Sequence, residues 1–98
     1  MTTDTYSFRN TYAFESITVG VTAKQLTAAT FENSQEALIT VASNIVRWRT
    51  DGTDPTSGVG HVMTTDQSIL IKGGTDISRF RVISQTGADA ILSISYYK

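Results

Sequence analysis

Apolar and polar residues alternate along most of this chain, and the period of the alternation is two. In AILSISYY, at 90–97, one side carries Ala90, Leu92, Ile94 and Tyr96, and the other carries Ser93, Ser95 and Tyr97. Successive side chains of a strand point to opposite faces, so this pattern predicts a half-buried β-strand. The same reasoning, helped by abundant Thr, Ile, Val, Tyr and Phe, predicts strands at 12–19, 25–31, 36–42, 45–50, 61–65, 68–72 and 77–84.

Turn chemistry separates these segments. Ser43-Asn44, Asp66-Gln67 and Gly73-Gly74 each follow an apolar run, and Gln85-Thr86-Gly87-Ala88-Asp89 has the length and the glycine of a hairpin turn between 77–84 and 90–97. Helix has little support. The one candidate, 23–31, is interrupted by Thr27 and Thr30 and has no continuous apolar stripe. About eight short strands without covering helices predict an all-β fold, an antiparallel β-sandwich of which the jelly roll is one form. A barrel is the alternative. Sandwiches have open edges, so homo-oligomerisation is expected to cover them.

Ninety-eight residues suit a single domain. Residues 11–98 are expected to form it, and residues 1–10, MTTDTYSFRN, read as a polar arm rather than a signal peptide, since they lack an apolar run. Only 17% of residues are charged, so Thr, Ser, Asn and Gln must cover much of the surface. A net charge of -1 gives no field that would draw the chain to nucleic acid or an anionic membrane, and neither is expected as a partner. Cysteine is absent, which excludes disulfides and thiolate metal sites.

The rare residues gather in VRWRTDGTDPTSGVGH, at 46–61, with the chain's one Trp, one Pro and one His. Asp51 and Asp54 with Thr53 and Thr56 offer oxygen ligands to a hard cation, but their spacing does not place ligands at alternate loop positions, and Asp51-Gly52 and Asp54-Pro55 are ordinary turn pairs. Gly58-Val59-Gly60 follows no βαβ pattern and is no phosphate cradle. Ser57 and His61 sit in no nucleophile elbow or triad context, so catalysis and cofactors are not expected.

Arg47 and Arg49, and likewise Arg79 and Arg81, are spaced to share one strand face. Were the two strands neighbours, four guanidinium groups would form a patch able to clamp a carboxylate, a phosphate or an acidic strand. The plainer reading pairs them with Asp51, Asp76, Glu36 or Asp89 across strands. Trp48 alternates with the arginines and so points inward, as do Phe80 and Val82, which makes packing a better account of Trp48 than carbohydrate stacking. Tyr96 and Tyr97 are candidate interface aromatics.

Taken in order, ALITV at 37–41, IVRWRTDGTDPT at 45–56, the return 58–63, ILIKG at 69–73, the run 77–83 and the closing strand 90–97 resemble the small virion proteins of tailed bacteriophages over residues 36–97. That resemblance implies a β-sandwich made in the host cytoplasm and incorporated into the virion as a capsid cement, decoration or head-fibre component, often a trimer. Its partner would be the major capsid protein or another virion protein. Arg47, Arg49, Arg79, Arg81, Asp51, Asp54, Tyr96 and Tyr97 are the expected protein-interface residues, joined by the arm. The alternative is a tail or fibre module that binds host glycan through the 51–61 loop and Trp48.

Overall fold

The computed structural model describes residues 11–98, so the expected arm at 1–10 lies outside the described residues. It is an all-β sandwich of two four-stranded sheets with two short helices that pack against each other. The strands are β1 (Thr11–Val19), β2 (Lys24–Gln25), β3 (Glu36–Ser43), β4 (Val46–Arg49), β5 (His61–Met63), β6 (Ser68–Lys72), β7 (Arg81–Ser84) and β8 (Ala90–Tyr97). One sheet runs β1-β8-β3-β6 and is called sheet A; the other runs β2-β7-β4-β5 and is called sheet B.

The pairing is nested. β1 pairs with β8, β2 with β7, β3 with β6 and β4 with β5, all antiparallel. The chain is thus one long hairpin whose rungs fall alternately in the two sheets, and winding it up adds the contacts β3·β8 and β4·β7. This is the jelly-roll arrangement. Among the described residues β4 and β5 are the one pair of consecutive strands that share a sheet; every other link crosses between sheets.

The alternation read from the sequence decides which side chains fill the space between the layers. β3 and β8 bury every second residue: Ala37, Ile39 and Val41 from one, Ala90, Leu92, Ile94 and Tyr96 from the other. Val46 and Val82 meet them from sheet B, with Val19, Leu26, Ile77 and Phe80 closing the ends. Fully burying a Val, Leu, Ile or Phe side chain contributes about 1.5–3 kcal/mol, so this shared interior is the main source of stability in a chain without disulfides.

Three expectations are corrected. The segment 85–89 is not a hairpin turn: β7 lies in sheet B and β8 in sheet A, so it crosses the sandwich. Asn44, in the left-handed region at φ 73°, ties that crossing to the β3–β4 crossing; its Nδ2 donates to Thr86 Oγ1 at 2.9 Å and Ala88 O at 3.0 Å. Residues 77–79 are not strand but the end of a helix, α2 (Gly74–Arg79), which begins after Gly73 at φ 94° and turns Ile77 into the core. The strand expected at 25–31 is only Lys24–Gln25, followed by one helical turn, α1 (Ala28–Phe31).

Candidate functional site

The outer face of sheet B carries the arginines. β4 lies between β7 and β5, and its register sets Arg49 opposite Arg81, Arg47 opposite Ile83 on one side, and Arg47 opposite Val62 on the other. Val46 and Trp48 take the inner positions. The expected four-cation patch is therefore three cations, because Arg79 sits on α2 rather than on the strand.

Two guanidinium groups directly opposite each other repel unless each has its own counter-charge. The 51–60 loop supplies both. The Asp51 carboxylate accepts from Arg49, and the Asp54 carboxylate lies 3.7 Å from Arg81. Of the four acidic partners expected from sequence, Asp51 is found and Asp54 takes the place of the others on this face. Arg47 uses neutral acceptors, donating from Nε to Gln85 Oε1 at 2.8 Å and from Nη1 to Gly60 O at 3.0 Å. The Arg49 contact and the Thr53 N–H hold the Asp51 carboxyl below the usual carboxylate range, and Asp51 in turn raises Arg49.

The loop is thereby folded back onto the sheet that it leaves. Pro55 is buried, Thr56 and Val59 exchange backbone hydrogen bonds of 2.9 and 3.2 Å, and Gly60 returns at φ 136°. A side chain at Gly60 would meet Pro55 Cβ at 3.1 Å and Trp48 O at 3.2 Å, so glycine is required there by both space and backbone angle. Beside the loop run two open clefts, of about 360 Å³ between Pro55, Ile83 and Thr86, and of about 490 Å³ between Arg49, Val59 and His61. Among the described residues no three His, Cys, Asp or Glu side chains gather as a metal ion would require.

Trp48 faces inward as expected. Its ring lies 4.7 Å from that of His61 and 6.0 Å from that of Phe80, so it is a packing residue at the edge of the core. Its Nε1 is buried without a hydrogen-bond partner. Tyr96 corrects another expectation. Its ring is wholly inside the sandwich and its hydroxyl donates to Glu15 Oε2, so it offers no surface to a partner. Burial first, and the Glu15 carboxylate second, raise the phenol well above its usual range. Tyr97 is on the outer side of β8, half-buried, opposite Glu36 and Thr11.

Sheet A has an outer face of a different kind, which sequence reasoning passed over. Its register aligns Phe14, Ser95, Leu38 and Leu70 in one row and Ser16, Ser93, Thr40 and Ser68 in the next, where Thr40 and Ser68 hydroxyls bond at 2.8 Å. Ile91 lies opposite Thr18 beyond them. Phe14 is 59% exposed, Ile91 40% and Leu70 39%. Among the described residues, charge enters this face only at the Glu36–Lys72 end. Each residue sat in a legible strand, but the face appears only when four strands from distant parts of the chain are placed side by side.

No protein-family model matches the chain, no curated protein matches it, and no solved structure matches it.

Proposed function

We propose that this chain is a non-enzymatic structural protein of a tailed-phage virion, a cement or decoration protein that docks on the capsid and bridges neighbouring capsomers. The observation that carries the reading is the outer face of sheet A: uncharged across its middle rows, rich in hydroxyls, and exposing Phe14, Leu70 and Ile91. A contiguous face of apolar and neutral polar side chains suits a protein partner, since charge is depleted at the centre of such interfaces. The resemblance of residues 36–97 to small phage virion proteins supplies the class of partner.

The arginine loop has a supporting part in this reading. Arg47, Arg49 and Arg81 each hold the chain's own loop against sheet B, which leaves them less able to act as a cation clamp. Docking many copies on an assembled shell would stabilise it by mass action, because each copy binds the lattice and not its dissociated parts.

The test is made on purified particles of the phage that encodes the chain. The polypeptide should be present in the mature particle, and added Phe14→Lys or Leu70→Lys protein should fail to co-sediment with particles stripped of it, while unmodified protein binds. Absence from the particle, or lysine variants that bind as well as the unmodified chain, would overturn the reading.

A further inference from the structure

The two sheets end in four edge strands, and they are not equally protected. β2 has two residues and β5 three. β6 has five and ends in Lys72. β1 has nine, the longest edge among the described residues, and a helix packs against each of these two, α2 on β6 and α1 on β1. Its backbone pairs with β8 on one side, and among the described residues no backbone hydrogen bond leaves its other side.

Exposed edges are ordinarily blunted by shortness, by lysine or proline, by a bulge, by an inward-pointing charge or by a covering helix or loop. β1 has a bulge only at its start, where the register slips at Tyr12, beneath the Lys98 ammonium 4.4 Å from the ring, and α1 touches it without pairing with its backbone. From 13 to 19 the strand is regular. It contains no Lys, Arg or Pro, and its outward side chains are Phe14, Ser16 and Thr18. Its single charge, Glu15, points inward and is held by the Tyr96 hydroxyl and the Thr27 N–H.

We infer that the β1 edge is a self-association surface, on which a second copy of this chain pairs antiparallel through its own β1 about a two-fold axis. An antiparallel strand is complementary to itself, so one two-fold satisfies the open donors and acceptors of both copies. The charge pattern admits this partner in particular. Glu15 is turned away, so no like charges face each other across the axis, and uncharged residues meet on the outside. The result is a continuous eight-stranded sheet that doubles the neutral outer face of sheet A. The symmetry is two-fold, whereas the family likeness suggests three-fold.

Seven paired residues span only about 20–25 Å, so the contact falls below the roughly 1,200–2,000 Å² of a stable interface. The free chain should therefore dimerise weakly, with a dissociation constant on the order of 0.1–1 mM. Sedimentation equilibrium from about 10 µM to about 2 mM, with backbone amide exchange of 11–19 measured at both ends of that range, tests this. The unmodified chain should pass from monomer to dimer, and exchange within 11–19 should slow as it does.

The Ser16→Lys/Thr18→Lys double variant places like charges across the axis without touching the core, and should dimerise at least ~10-fold more weakly. Leu70→Lys, on the opposite edge, and a chain lacking residues 2–10 should dimerise like the unmodified protein. A monomer throughout the range, a double variant that dimerises normally, or dimers lost with Leu70→Lys or with the arm would overturn the inference. Because the readout is on the isolated chain, it stands or falls separately from the virion role. The exchange measurement needs no substitution, so it decides even where a variant fails to fold.

Discussion

The outer faces of the two sheets use their polar groups in opposite ways. On sheet B, three arginines meet two aspartates, a glutamine and a loop carbonyl, all from the same chain, and the 51–60 loop lies over the sheet as a result. On sheet A, nothing from the described residues lies over the rows of Phe14 and Ser16, and their hydroxyl and apolar side chains face outward. The residues that look most functional in a list, the clustered arginines, have already found their partners within the fold. The plain serine and leucine positions are the ones left facing outward. A charge cluster is therefore a poor guide to a binding surface until its own counter-charges have been located.

The contrast can be broken most severely at Gly60. Gly60→Val forces a branched side chain into Pro55 Cβ and Trp48 O at a backbone angle that suits glycine, and should cost about 3 kcal/mol in denaturant unfolding, with the loop lifted from sheet B. Arg47→Ala removes two hydrogen bonds, one that holds the loop at Gly60 and one to Gln85 of the β7–β8 crossing, and should cost about 1–2 kcal/mol by the same measurement. Arg49→Ala should matter less, because its ion pair with Asp51 is exposed to solvent and screened by salt.

On sheet A the expected change is smaller still. Phe14→Lys should alter unfolding stability by no more than about 0.5 kcal/mol, since the ring is mostly in solvent. An equal loss from Phe14→Lys and Arg47→Ala would erase the distinction between the faces. The finest test is titration. Asp51 is lowered in the fold, so its contribution is present above the ordinary aspartate range and is lost as pH falls through the lowered value. An NMR titration should find the Asp51 carboxyl below the usual range and returning toward it in high salt, or in Arg49→Ala.

Much of this architecture could be read from alternation. The strands Ser68–Lys72 and Ala90–Tyr97 begin and end where the pattern says, because period-two burial and turn residues agree there. Sheet membership was not legible. A five-residue link with one glycine, such as 85–89, serves equally as a hairpin turn or as a crossing between layers, and only the nested pairing separates the two. Residues 77–79 misled for a related reason. An inward Ile77 and outward Ser78 satisfy a strand, yet Gly73 and Gly74 free the backbone to coil, and the Ser78 hydroxyl donates to Thr75 O at 2.8 Å across the turn.

At the candidate site the inward turn of Trp48 was readable from its place between two outward arginines, but the destination of those arginines was not. Asp54 reaches Arg81 only because Pro55 is buried and Gly60 turns the loop back. Tyr96 was placed correctly by alternation and then misjudged by residue type, since aromatic residues near a chain end are common in cores as well as interfaces.

Nested pairing also governs when this molecule can come into being. Its central strand, β8, lies between β1 and β3, so sheet A cannot close until the chain has been made through Tyr97. Contacts that span nearly the whole sequence cost much loop-closure entropy before any reward, which makes such topologies slow to fold. On a ribosome the first strand must therefore wait, unpaired, for the last.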